Sequence, residues 1–263
     1  MYNLLETHPL TKKTEKMSYS NAKWLATLMV FSMTISSCFI DVDDDDGFFG
    51  CVDGDGPIVE QVLNLDDFSG VELSLPIEVV IKQGDVQEVR VEGKQNIIDE
   101  LERDVRNGVW DIETRDCVRD IGNMKIFITI PEIRELAIAG SGEIFGENVF
   151  IVQDVELEIS GSGNMDLAME GDDYDVIVTG SGNIKLEGLA DELDLKITGS
   201  GDISAFNLAA KRARVEITGS GNAEVSVEDE LDVKISGSGD VRYKGTPSLD
   251  VSISGSGRVV DAN

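Results

Sequence analysis

Ile197-Thr198-Gly199-Ser200-Gly201-Asp202-Ile203 is one copy of a pattern that recurs through the second half of the chain. Gly-Ser-Gly occurs seven times, with glycines at Gly140 and Gly142, Gly161 and Gly163, Gly180 and Gly182, Gly199 and Gly201, Gly219 and Gly221, Gly237 and Gly239, and Gly255 and Gly257. Successive copies are 21, 19, 19, 20, 18 and 18 residues apart. So even a period marks a repeat architecture.

Counting from each first glycine gives the reason for the repeat. Two residues before it stand Ile138, Ile159, Val178, Ile197, Ile217, Ile235 and Ile253, and four before it Leu136, Leu157, Val176, Leu195, Val215, Val233 and Val251. Four after it come Ile144, Met165, Ile184, Ile203, Ala223, Val241 and Val259. Apolar residues at every second place describe a strand with one buried face. The glycines mark a corner, where backbone takes positive φ or approaches a neighbour closely. A unit of about 19 residues cannot bury its own apolar face, but units stacked about 4.8 Å apart share one interior. Helical crossovers would need longer repeats, and no sustained helical periodicity follows residue 135. The expected fold is all-β: a parallel β-helix (solenoid), right-handed, with about seven Gly-Ser-Gly rungs over 135–263. The asparagine-bearing signature of leucine-rich repeats and the tandem nonapeptides of calcium-binding β-rolls do not occur.

These residues resemble the auto-transporter adhesin family with the head GIN domain. The resemblance rests on Thr198-Gly-Ser-Gly-Asp202, Ser160-Gly-Ser-Gly-Asn164 and their sister copies, with Val79-Val-Ile-Lys-Gln-Gly-Asp85 and Ile128-Thr-Ile-Pro131 upstream. It covers roughly residues 57–263. It implies a right-handed β-helical fold in secreted or surface proteins, and brings no catalytic residues with it.

Upstream, residues 57–134 read as β-rich without the corner motif. Strands are expected at Val59–Leu65, Val71–Leu75, Ile77–Lys82, Val86–Glu92, Val109–Glu113 and Lys125–Ile130, with a short helix over Asn96–Val105 capped by Asn96. This segment either covers the solenoid's N-terminal edge or supplies irregular first rungs; both protect an open row of strand hydrogen bonds.

The first 37 residues read as an address. A lysine-bearing region leads into about a dozen apolar or small residues, too few to span a bilayer, and then into Ile35-Ser36-Ser37-Cys38, which resembles a bacterial lipobox. The expectation is a lipoprotein signal peptide over 1–37 and lipidation of Cys38, against an ordinary signal peptide or short anchor. Residues 38–56 then form an acidic tether, and its Asp43–Asp46 run resembles signals that send lipoproteins to the outer cell surface. The expected location is the outer membrane, surface-exposed, with the periplasmic face as the alternative. Cleavage removes four of the 22 bases and two of the 51 acids, leaving 18 and 49 and a net charge of −31. It also removes His8, the only histidine, and with it every mechanism that needs imidazole. Cys51 and Cys117 remain as an even pair in an oxidising compartment, which predicts a disulfide; the alternative is two reduced, buried thiols.

Net charge of −29 excludes nucleic acid and disfavours an anionic membrane surface. Stacking turns each repeat position into a column. Glu143, Asn164, Asn183, Asp202, Asn222, Asp240 and Arg258 follow the corner and read as a hydrogen-bonded ladder, with ligand binding as the alternative. Five places before it stand Glu135, Glu156, Asp175, Asp194, Arg214, Asp232 and Asp250. This column reads as a soluble, anti-aggregating face, or as weak Ca²⁺ sites at Glu156, Asp175, Asp194, Asp232 and Asp250. No other cofactor is implied. Short regular corners leave no long loops for a cleft, so a polysaccharide-active enzyme ranks below two non-catalytic roles. One is an adhesin contacting glycan, matrix or a cell-surface protein; the other is a self-assembling or spacer component of the envelope. Little sequence follows the seventh corner, which makes self-association through the solenoid ends conceivable, with Asp261 and Arg258 as guards.

Overall fold

The computed structural model describes residues 50–263. The segment 1–37 expected to be a signal peptide, Cys38 and the Asp43–Asp46 run therefore lie outside the described residues. The chain runs through β1 (Val52–Asp53), β2 (Ile58–Leu63), β3 (Gly70–Leu73), β4 (Glu78–Gln83) and β5 (Glu88–Lys94). One helical turn, α1 (Gln95–Ile98), leads to β6 (Val105–Arg106), β7 (Val109–Ile112), β8 (Val118–Asp120) and β9 (Lys125–Ile130). The repeats follow as β10 (Glu135–Gly140), β11 (Glu143–Ile151), β12 (Asp154–Gly161), β13 (Asn164–Gly180) and β14 (Asn183–Gly199). They continue as β15 (Asp202–Gly219), β16 (Ala223–Gly237), β17 (Asp240–Lys244), β18 (Ser248–Gly255) and β19 (Arg258–Asp261).

From β10 onward every pairing is parallel, and the protein is a β-solenoid of about seven turns. Two faces meet at the Gly-Ser-Gly corner. The first glycines superimpose from rung to rung: Gly140 on Gly161, Gly161 on Gly180, Gly180 on Gly199, Gly199 on Gly219, Gly219 on Gly237 and Gly237 on Gly255. The expected inward columns are buried up to the last rung, where Val251 and Ile253 are exposed. Ile138, Ile159, Val178, Ile197, Ile217 and Ile235 stack in one, and no polar or charged side chain is buried among the described residues. An apolar interior of this kind turns the charged side chains outward, while the buried rings of Trp110 and Tyr174 spend their N–H and O–H on the backbone oxygens of Glu102 and Leu189.

The corner needs both glycines, for different reasons. Gly199 has φ of 126°, and a Cβ there would run into the carbonyl oxygen of Gly180. Gly201 lies outside the positive-φ region, but its Cβ would strike the carbonyl oxygen of Gly182 and the side chain of Val178. Corner backbones thus stack too closely for any side chain at either place.

Residues 57–134 supply irregular rungs and a cover together. β3 and β4 form a rung in register with β10 and β11, while β7 and β9 form the next rung outward. Stacking order here departs from chain order. β5 then pairs antiparallel with β9, β2 with β5, and β6 with β7, ending the parallel stack. The disulfide is present: Cys51 and Cys117 have Cα atoms 4.6 Å apart and close a loop across 66 positions. Beside it Val52 N donates to Cys117 O at 2.7 Å, and β1 pairs with β8.

The helix expected over Asn96–Val105 is corrected to the single turn α1, with Lys94 at its N-cap and no side-chain cap. Asn96 instead bonds the incoming chain, donating to Asp53 O at 2.8 Å and accepting from Asp55 N at 3.0 Å. Burial of Ile97, Ile98 and Leu101 decides the path, and the backbone turns into β6 before a second turn can form. The short strands β1, β6 and β8 were not expected; at two or three residues they exist only through their partners. The other strands match the expected ones within a few residues at their ends.

Candidate functional site

The outward residues of β12, β13 and β14 converge in an open groove of about 1000 Å³ on the side of the solenoid remote from the Gly-Ser-Gly corner. Period-two alternation puts Asp154 and Glu156 outward on β12, Asp173 and Asp175 on β13, and Glu192 and Asp194 on β14. Register stacks them: Asp154 on Asp173 on Glu192, and Glu156 on Asp175 on Asp194. Six carboxylates therefore occupy two adjacent columns over three rungs. The next rung places Arg212 and Arg214 in the same columns and ends the block. Arg212 Nη2 lies 3.1 Å from Glu192 Oε2, and Arg214 reaches Asp232 at 3.8 Å.

Burial first, and crowding next, raise the proton affinity of Asp173, Asp175 and Asp194 in this block and of Glu158 beside it. Asp175 is held above the ordinary carboxylate range first by burial against its neighbours, then by Glu156 and Asp194, with Lys196 opposing. Asp194 is raised by burial and Glu192, against the pull of Arg214. Asp173 is raised by burial and by Glu192 and Asp154, and Glu158 by burial and by Glu156 and Glu135. Carboxylates so placed are underpaired with bases, and a cationic partner relieves them.

Of the Ca²⁺ candidates, Glu156, Asp175 and Asp194 line this groove, Asp232 lies beyond Arg214, and Asp250 stands on the last described rung. Among the described residues no three His, Cys, Asp or Glu side chains close on one point as a cation cage requires. The five-before column alone predicts half of the block. The other half, Asp154, Asp173 and Glu192, sits seven places before each first glycine; counting two places further along the strand would have found it.

The column after the corner is a ladder of hydrogen bonds. Asn183 Nδ2 donates to Asn164 Oδ1 at 3.0 Å, and Asn222 gives both its backbone N and its Nδ2 to Asp202 Oδ1 at 2.8 Å. Asp240 N donates to Asn222 Oδ1 at 3.1 Å, and Arg258 closes the ladder as an ion pair with Asp240. These groups are spent on one another, which supports the structural reading of this column. Phe145 is exposed beside this column, and Val149 and Ile151 are exposed further along β11, where Ile151 lines the acidic groove; no repeat position announces these apolar residues.

No match was found among curated proteins. The family model described as "Putative auto-transporter adhesin, head GIN domain" matches residues 67–247. Among solved structures, a putative adhesin from Bacteroides fragilis superimposes with a TM-score of 0.76 at 24% identity, over 80% of this chain and 99% of that one. A putative lipid binding protein from Parabacteroides distasonis gives 0.68 at 25% identity, over 81% and 100%. A putative adhesin from the same organism gives 0.66 at 26%, over 81% and 100%. Repeat register, corner chemistry and the family model agree, and the chain belongs to the auto-transporter adhesin family with the head GIN domain.

Proposed function

We propose that this protein is a non-catalytic cell-surface adhesin, held at the outer membrane by a lipid on Cys38, whose acidic groove makes the primary contact. The observation that carries this reading is the block of Asp154, Glu156, Asp173, Asp175, Glu192 and Asp194 displayed on rigid strands in an open groove. A regular face of this kind favours many modest contacts with a macromolecule over one deep pocket. Its sign selects a partner bearing basic residues, a matrix or cell-surface protein rather than an anionic polymer.

The test is binding of the full chain to an array of matrix proteins and neutral and anionic glycans, in low and high salt. Salt-sensitive binding to basic proteins is expected, and combining Asp173→Asn, Asp175→Asn and Asp194→Asn weakens it about tenfold. Because those substitutions relieve like-charge crowding, the variant keeps or gains thermal stability, so lost binding cannot be laid to unfolding. Undiminished binding by the variant, or preference for anionic glycans, rejects the groove as the contact. Shaving of intact cells with protease checks the location: an adhesin is removed, and full protection contradicts surface exposure.

A further inference from the structure

At the last described rung the solenoid is left open on one of its two faces. β18 pairs only with β16, and its other edge meets no strand among the described residues. Its inward residues Leu249, Val251 and Ile253 are 45%, 40% and 41% exposed, whereas Leu231, Val233 and Ile235, one rung below in the same columns, are 0%, 0% and 1% exposed. The adjoining face is guarded. There Asp261 follows Val225 and Tyr243 in an inward column, so a carboxylate stands where an aliphatic would invite pairing. Asn263 bonds both Gly245 N and Gly245 O at 2.9 Å, covering the end of β17.

We infer that β18 is a docking edge for β18 of a second copy of this chain, paired antiparallel about a two-fold axis at Val251. The register is fixed by the sequence Ser248-Leu-Asp-Val-Ser-Ile-Ser254. An axis at Val251 sets Val251 against itself, Leu249 against Ile253, Asp250 against Ser252 and Ser248 against Ser254. All three inward aliphatics then face aliphatics, and neither Asp250 meets a like charge. An axis at Asp250 would set the two Asp250 side chains directly opposite, which is destabilising. An axis at Ser252 would leave Leu249 opposite Gly255, and a slip by one residue would turn every inward side chain out. Directly opposed residues in an antiparallel pair point to the same side, so each copy's aliphatics cover the other's exposed core. A two-fold contact of this kind closes at two copies, and Asp261 keeps the neighbouring face from propagating it.

The experiment is light scattering of the full chain across a concentration series, with cross-linking by mild oxidation. A two-copy mass is expected at high concentration, and Val251→Lys returns it to one copy while far-UV circular dichroism stays unchanged. Val251→Cys gains a covalent dimer over the unsubstituted chain, because the two thiols face each other, and Val260→Cys on β19 gains none. A single-copy mass at every concentration overturns the inference, as does a dimer that survives Val251→Lys. Equal cross-linking at both positions would rule out this register, and growth beyond two copies would mean a head-to-tail contact through another surface.

Discussion

At the residue scale the corner is governed by space rather than by chemistry. Gly199 carries both a positive φ and a carbonyl where its Cβ would sit, so Gly199→Ala is expected to cost at least about 2 kcal/mol. Ser200, between the glycines, is exposed, and Ser200→Ala is expected to stay within about 0.5 kcal/mol. Paired urea melts check this; equal effects at the two positions would contradict the stacking of corner backbones. The same reasoning explains why the corners were legible in the sequence. A Gly-Ser-Gly that recurs with its inward aliphatics two and four places away has one geometric meaning, and the register of Gly180 on Gly199 on Gly219 fulfils it. Asn96 was not legible in this way. Its preference for a helix N-cap lost to bonds with Asp53 and Asp55, residues more than forty positions away that no local pattern reveals.

Among elements, the irregular rungs at the N-terminal end depend on being held together. Sequence alternation located most of their strands, but could not order them, because β7 and β9 stack outside β3 and β4 although they come later in the chain. Pairing order there is set by tertiary contacts: the buried indole of Trp110, donating to Glu102 O at 3.0 Å, and Phe68 beside it at 5.9 Å between ring centroids. Cys51–Cys117 ties the incoming strand to this region across 66 positions. In the chain-entropy model a loop of that size contributes about 4 kcal/mol. Replacing both cysteines by serine should therefore lower the melting temperature by several degrees, with the fold retained because the repeats have their own apolar interior. An unchanged melting temperature would show that β1 and β8 are held by their hydrogen bonds alone. Half of the acidic groove was visible as a column of the repeat; the rest lay two places along the same strand, and only the bend after Ile151 shows that the two columns share a concave surface.

For the whole molecule, partly buried and crowded carboxylates make stability fall as pH rises above the ordinary carboxylate range. Glu72, Glu158, Asp173, Asp175 and Asp194 have their proton affinities raised in the folded state, each by burial first and by neighbouring carboxylates next. A group raised in this way binds more protons folded than unfolded, so its contribution is full below the ordinary carboxylate pKa and is lost as pH climbs through the folded value. Glu216 and Asp240 act oppositely: hydrogen bonds from Lys234 and Arg258 lower them, and their contribution is lost as pH falls below the ordinary range. The melting temperature should accordingly rise as pH is lowered from neutral toward the ordinary carboxylate range and turn down again below that range. A steady fall from pH 7 downward would contradict the crowding of the groove.

The claim beneath all of this is that successive corners stand directly over one another at one strand spacing per rung. Pulsed electron-electron resonance between nitroxides at Ser162→Cys and Ser256→Cys, in a Cys38→Ser chain that keeps the native disulfide, measures it. Those serines are five rungs apart, and Ser181→Cys with Ser256→Cys spans four. The expected result is a narrow distribution near about 24 Å for the first pair, shorter by about 4.8 Å for the second. A broad distribution, or two pairs that fail to differ by one rung, would mean that the repeats do not stack and that neither the groove nor the docking edge exists as described.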